Sequence, residues 1–246
     1  GVGSPCMERL ARLSARLEGD VERANAILKQ ANEIVVLTGA GVSAESGIPT
    51  FRGSGGLWRT RRPEELATPE AFRETPDLVW EWYQWRRRLI AECSPNPGHQ
   101  ALARLALKRD GVTLITQNVD GLHNRAARTE ARAMNIADPQ AAFPLELHGA
   151  INRDRCSLCD RRTDAVSHHE SGLPLCNDCG GPLRPDVVWF GETLDPVIIG
   201  AAQEVALSAD VCLVVGTSAL VHPAANLPSM TLRAGGVLIE VNLETT

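Results

Sequence analysis

An uninterrupted apolar run that ends on a glycine pair constrains this chain more than any other feature. Glu33-Ile34-Val35-Val36-Leu37 leads directly into Thr38-Gly39-Ala40-Gly41-Val42-Ser43-Ala44. A short β-branched run without polar alternation reads as a strand buried on both faces, and such strands belong to parallel sheets. The glycines after it let the backbone turn tightly and approach a pyrophosphate, whose charge a following helix N-terminus favours. The stretch fits G-x-G-x-x-[G/A]. A structural glycine turn in any α/β protein fits it too, so the pattern alone leaves the nucleotide open.

Comparable runs recur at 112–116 (VTLIT), 211–215 (VCLVV) and 237–241 (VLIEV), with helical stretches over 97–109 and 194–208 between them. Strand-helix alternation predicts an α/β fold, a Rossmann-like open parallel sheet flanked by helices, with ligands at the carboxyl ends of its strands. Residues 68–93 read as helical and cluster Trp80, Trp82, Tyr83 and Trp85, whereas 150–185 are polar and punctuated by Cys, Gly and Pro. We therefore expect a Rossmann-like domain over 30–149 and 186–246, with a helical module at about 52–95 inside it. A small inserted module over 150–185 and an N-terminal helical segment over 1–29, broken at Gly19-Asp20, complete the division.

Four of the seven cysteines form the pairs Cys156-x-x-Cys159 and Cys176-x-x-Cys179, while Cys6, Cys93 and Cys212 stand alone. Two such knuckles at this spacing can set four thiolates tetrahedrally around one structural zinc, a zinc-ribbon arrangement with no open coordination position. Chance pairs or disulfides are the alternative. His168 and His169 lie between the knuckles as loop residues or extra ligands. Metal-binding pairs with spare thiols fit a cytoplasmic protein. The net charge of -5 argues against a nucleic-acid partner, which needs a basic face. No apolar run is long enough for a membrane span.

The longer string changes what the glycine turn means. GAGVSAESGIPTFRG over 39–53, followed by Gly56-Leu57-Trp58, resembles the NAD-binding signature of the sirtuin family. The likeness continues through Gln117-Asn118-Val119-Asp120-Gly121-Leu122-His123, Leu147-His148-Gly149, both cysteine pairs, the stretch Arg184 to Glu192, Gly216-Thr217-Ser218 and Val241-Asn242. No acidic residue follows about 20 positions on, where a hydride-transfer dinucleotide fold carries one.

The resemblance implies an NAD-dependent protein-lysine deacylase that consumes NAD. The acyl oxygen of the modified lysine attacks C1′ of the nicotinamide ribose and expels nicotinamide. The resulting alkylimidate meets a ribose hydroxyl deprotonated by His148, and hydrolysis yields free lysine and O-acyl-ADP-ribose. His148 would be the general base, and Asn118 would orient the ribose. Gly39, Ala40, Gly41, Ser43, Glu45, Phe51, Arg52, Gln117, Asp120, Gly216, Thr217, Ser218, Asn242 and Glu244 would hold NAD. An acylated peptide would lie as an added strand between Val188, Phe190, Gly191 and Glu192 on one side and Val221 on the other.

Tyr83 and Arg86 are three apart and share a helix face. They read either as the packed face of an amphipathic helix or, by resemblance to the desuccinylase and demalonylase branch, as the pair that binds the distal carboxylate of a succinyl or malonyl group. Arg suits that task because it grips a carboxylate with two charge-assisted hydrogen bonds. Arg87 is a rival in the run Arg86-Arg87-Arg88. The resemblance therefore implies removal of acidic acyl groups, succinyl and malonyl, together with acetyl, with mono-ADP-ribosyl transfer or NAD and acyl-lysine binding with weak turnover as alternatives. Arg125-Ala126-Ala127 departs from the family's Arg-Ala-Gly, and 128–143 reads as a long polar connection, expected as a flexible loop before His148.

Overall fold

The computed structural model describes residues 5–49, 62–165, 173–217 and 221–243, with side chains from residue 16 onward. The predicted parallel sheet is present. Strands β1 (Ile34–Thr38), β2 (Val112–Thr116), β3 (Leu145–Glu146), β7 (Val211–Val215) and β8 (Val237–Val241) lie in the order β3-β2-β1-β7-β8, all parallel. The chain leaves β1 for β2 on one side and returns to β7 on the other, so strand order reverses between β1 and β7. A crevice opens at the carboxyl ends of strands at such a switch point.

Both faces of this sheet are covered, which is why its central strands are apolar at most positions. Ile34, Val36, Leu114 and Leu213 face helices α1 (Pro5–Gln30), α5 (Pro97–Lys108) and α6 (Leu122–Ala133). Val35, Leu37, Ile115, Cys212 and Val214 face α7 (Pro196–Ser208) and α8 (Leu227–Arg233). Prolines at the first turn of α5 and α7 fit helix starts, where their missing N–H costs nothing.

The inserted segment forms a second sheet. Strands β4 (Gly149–Cys156), β5 (Arg162–Asp164) and β6 (Leu183–Val187) pair antiparallel in the order β5-β4-β6. Helices α2 (Pro63–Leu66), α3 (Pro69–Glu74) and α4 (Pro76–Glu92) pack on this sheet. Leu66, Phe72, Val79, Trp80, Trp82 and Tyr83 share one core with Ile151, Cys156, Leu183 and Trp189.

Four sequence expectations are corrected. Helix α1 runs unbroken through Gly19-Asp20, since one mid-helix glycine costs only about 1 kcal/mol. The stretch 68–93 is two helices, because Pro76 cannot donate its N–H and starts a new helix after Thr75. The connection before His148 begins as helix α6, which buries Ala126, Ala127 and Ala131; a short 3-10 turn at Gln140–Ala142 then buries Ala142 against α5. Those alanines let α6 approach closely, so this segment is packed structure. Strand β8 reads like β1 in sequence, yet it sits at the sheet edge with four of its five residues exposed.

Candidate active site

Two glycine turns meet at the switch point. Gly39 follows β1, and Gly216 follows β7 with φ of +59°. A Cβ on Gly41 would stand 2.7 Å from the Gly216 carbonyl oxygen, and one on Gly216 only 2.3 Å from the Val42 nitrogen. The Gly39 N–H donates to Val215 and that of Gly41 to Gly216. Backbones packed this closely leave room for no side chain. After the turn the chain forms a 3-10 segment at Ala40–Ser46 where the sequence pattern predicts an α-helix start; Gly47, at φ of +90°, caps it.

The loop after β2 forms the adjoining wall. Asn118 is buried, and its Nδ2 donates to the Gly39 carbonyl at 3.0 Å and to Ser43 Oγ at 3.2 Å. Both amide hydrogens are thereby engaged, which leaves Oδ1 as the group that can accept from a ligand hydroxyl. Ser43 Oγ donates to Asp120 Oδ2 at 2.8 Å, and Asp120 Oδ1 accepts the Leu122 N–H at the start of α6. Gln117 Nε2 donates to Thr217 Oγ1 at 2.9 Å, while Asn242 Nδ2 donates to the Thr217 carbonyl. Gly39, Gly41, Ser43, Gln117, Asn118, Asp120, Gly216, Thr217 and Asn242 are thus brought together. Ala40 is partly buried beside them and Glu45 is exposed. Phe51, Arg52, Ser218 and Glu244, along with His168 and His169 of the small module, lie outside the described residues.

His148 sits two residues past β3 at the mouth of this crevice. Its Nδ1 lies 2.9 Å from the Gln117 carbonyl oxygen. A carbonyl only accepts, so Nδ1 carries the hydrogen and Nε2 keeps its lone pair. Burial pushes the imidazole pKa below its ordinary value, and the Gln117 carbonyl, which favours the cation, offsets part of that. The tautomer and the shift both make His148 a neutral proton acceptor.

His99 is a residue that sequence reasoning missed. It belongs to a capping box at the start of α5, where Asn96 accepts from the Gly98 and His99 N–H groups and the Asn96 N–H donates to His99 Nδ1. Its Nε2 then carries the hydrogen and reaches Ser43 Oγ at 3.3 Å. A chain of donors therefore runs from His99 through Ser43 to the Asp120 carboxylate. Only proximity in the fold reveals it, since His99 and Ser43 are 56 residues apart.

On α4 the three arginines have different fates. The Arg86 guanidinium lies 5.0 Å from the Trp82 ring centre and 5.8 Å from that of Tyr83. Burial, the larger effect, lowers its pKa, while the Asp120 carboxylate acts to raise it. Arg87 turns the other way and donates to the Ile151 and Arg153 carbonyls and to Asp154 of β4. Arg88 is exposed. Tyr83 is fully buried with its hydroxyl 2.8 Å from Trp189 Nε1. Trp189 belongs to the segment after β6, where Val188 donates its N–H to the His148 carbonyl and Phe190 donates its own to Ala67. The Phe190 and Val221 side chains are both exposed on the rim. The Glu192 carboxylate is turned inward onto Arg184, Arg155 and the Trp189 N–H.

The four paired cysteines converge at the end of the small sheet, with all four Sγ atoms within 4.8 Å of one another. Cys156 and Cys179 are 3.4 Å apart, and Cys159 and Cys176 are 3.8 Å apart. A tetrahedral zinc with Zn–S bonds of about 2.3 Å sets sulfurs about 3.8 Å apart, so the cluster fits one structural zinc.

A model of the Sir2 family matches residues 39–223. An NAD-dependent protein deacylase 2 of Pyrobaculum aerophilum is 49% identical over 89% of this chain and 82% of its own length. The NAD-dependent protein deacylase of Aquifex aeolicus is 50% identical over 87% and 84%. Among solved structures, a Sir2 homologue in complex with NAD superposes with a TM-score of 0.79 at 43% identity, covering 92% of this chain and 83% of that one. A Sir2 protein bound to an acetylated peptide superposes with a TM-score of 0.76 at 31% identity, covering 92% and 87%.

Proposed function

The chain belongs to the Sir2 family and is an NAD-dependent protein deacylase, and we propose that within this activity it prefers succinyl- and malonyl-lysine while retaining some use of acetyl-lysine. NAD is consumed as co-substrate: its ribose carbon takes the acyl oxygen and releases nicotinamide, so the products are O-acyl-ADP-ribose and free lysine.

The residues divide the work as follows. The packed turns at Gly39, Ala40, Gly41 and Gly216 let the backbone approach the diphosphate, with Gln117, Thr217 and Asn242 towards the ribose and adenine end. Asn118, through its uncommitted Oδ1, holds a ribose hydroxyl, and Asp120 with Ser43 meets the nicotinamide end. His148, with its lone pair on Nε2, removes a proton from that ribose once nicotinamide has left. Phe51, Arg52, Glu45, Ser218 and Glu244 complete the NAD contacts in this reading. An acyl-lysine peptide lies between Val188, Phe190 and Gly191 on one side and Val221 on the other, paired through its main chain. Glu192 braces that segment from behind. Residues 30–149 and 186–246 serve as the NAD-binding domain and 150–185 as the zinc module, in a cytoplasmic protein.

The observation that carries the acyl preference is the sorting of the arginines on α4. Arg87 is engaged by β4 and Arg88 is exposed, while Arg86 lies over the Trp82 and Tyr83 rings. A cation and a phenol beside the reacting end of the crevice suit an acyl chain that ends in a carboxylate. Left without that partner, the same pair penalises an apolar acyl group. Two peptides differing only in acetyl or succinyl on one lysine test this, with products identified by mass spectrometry. Succinyl preference that collapses in both Tyr83→Phe and Arg86→Met is the expected result. Equal use of acetyl-lysine, indifferent to both changes, would return the pair to simple helix packing.

A further inference from the structure

Tyr83 and Trp189 are 106 residues apart in sequence and joined by one buried hydrogen bond of 2.8 Å. Its direction is fixed by chemistry, because an indole N–H can only donate and the phenol oxygen must accept. The indole has little freedom to do otherwise. The Arg184 guanidinium carbon lies 3.3 Å from its ring centre, and the Phe72 ring lies 5.2 Å away. Its own backbone N–H is held by Glu192 Oε2 at 2.8 Å, and Glu192 in turn grips Arg184 at 2.5 and 2.9 Å. Trp189 is 2% exposed and Tyr83 0%.

We propose that Trp189 is a specificity-determining positioning residue that sets the polarity of the Tyr83 hydroxyl. With its acceptor side held by the indole, the phenol presents its hydrogen away from Trp189, on the side of the helix where Arg86 lies. A hydroxyl so arranged donates. A carboxylate accepts and cannot donate, so the pair of donors, Tyr83 Oη–H and the Arg86 guanidinium, is matched to an acyl chain with an anionic end. Acetyl-lysine offers no acceptor there and leaves a buried donor unmade. Without the indole N–H, the hydroxyl is free to turn its hydrogen elsewhere, and the selection weakens although Tyr83 itself is intact. The inference rests on the acidic-acyl reading of Tyr83 and Arg86 and adds the residue that orients them.

The test compares the full chain with Trp189→Phe, Tyr83→Phe and the double variant. It measures kcat and KM for succinyl- and acetyl-lysine peptides of one sequence. Phe keeps an aromatic ring under Arg184 and beside Phe72 but removes the N–H. The expected result is a fall of about tenfold in the succinyl-to-acetyl ratio of kcat/KM in Trp189→Phe, the effect of weakening one hydrogen bond to a charged group. Most of it should lie in the succinyl KM, and the double variant should fall no further than Tyr83→Phe alone. Losses that add in the double variant would overturn the proposal. So would an unchanged ratio in Trp189→Phe when Tyr83→Phe and Arg86→Met abolish the preference, and in that case the acyl reading itself stands. A parent enzyme whose ratio ignores Tyr83 and Arg86 would sink both.

A second readout does not depend on Trp189→Phe folding. The Trp189 indole N–H resonance should shift upfield in Tyr83→Phe. In the unaltered protein it should respond to a succinyl-lysine peptide more than to its acetyl twin. An indole resonance that ignores both the Tyr83 change and the succinyl peptide would refute the coupling.

Discussion

Lowering the pH should destabilise this fold through one buried imidazole, His123. It is 3% exposed, with Nε2 2.9 Å from Thr38 Oγ1. Thr38 gives its own hydrogen to Thr116 Oγ1 at 2.8 Å, and Thr116 also accepts the Asn118 N–H at 3.1 Å. His123 Nε2 must therefore carry the hydrogen, and Nδ1 is a buried acceptor with no hydrogen-bond partner among the described residues. Burial, and next the neighbouring His99, push its pKa down to about 3. An unfolded imidazole titrates near 6.5, at about that value in model peptides. The folded value is depressed, so the stabilisation is present above the unfolded pKa and is lost as pH falls below it, where only the unfolded chain takes the proton. Between about pH 7.5 and about pH 5 that linkage is worth about 2 kcal/mol from His123 alone. His99 and His148, both shifted the same way by burial, add to the trend. Urea unfolding followed by tryptophan fluorescence, at both pH values, should show wild type losing about 2 kcal/mol more on acidification than His123→Gln. Equal losses in the two proteins would refute the argument, because the proton uptake would then lie elsewhere.

Other perturbations have sharp outcomes. Gly216→Ala combines a positive φ with a Cβ 2.3 Å from the Val42 nitrogen, so calorimetric titration should find NAD affinity reduced at least about tenfold. Arg87→Ala removes a buried ion pair with Asp154, whose side chain is fully buried, and should cost about 3–5 kcal/mol in urea unfolding, much of it recovered when Asp154→Asn is added. Because burial lowers the His148 pKa, the acid limb of the pH dependence of kcat/KM should lie below the ordinary imidazole value of about 6.5, with activity lost as pH falls through it. Metal analysis should return one zinc per chain, and Cys176→Ser or a strong chelator should release it with loss of the small sheet's cooperative unfolding.

What the sequence made legible was whatever sits close together along the chain. The buried strand, the glycine turn, the two cysteine knuckles and the tripeptide around His148 are each contiguous, and the sheet they imply is the one observed. Relations between distant segments were not legible. His99 reads as an ordinary helix residue until the fold sets it beneath Ser43. The run Arg86-Arg87-Arg88 gives no hint that its middle member belongs to β4, since that depends on the pitch of α4 against a sheet formed some 65 residues later, Arg153 and Asp154 being 66 and 67 positions away. The β8 run looks like β1 because β propensity reports a residue's fit to a pleated surface and not its place at the centre or edge. The long polar stretch before His148 hid a helix because alanine, its commonest buried residue here, carries little hydrophobic signal.

His148 is also a piece of mechanical linkage. Only Leu147 and His148 separate β3 of the large sheet from β4 of the small one, and the returning strand β6 is followed at once by Val188, whose N–H holds the His148 carbonyl at 3.0 Å. Both passages of the chain between the two sheets therefore converge on this residue. Its Nδ1 is meanwhile anchored to Gln117 in the loop after β2 of the large sheet. The proton acceptor is thus tied by its backbone to the peptide-facing segment and by its ring to the loop after β2, so one residue couples the two walls that a substrate and a nucleotide would meet.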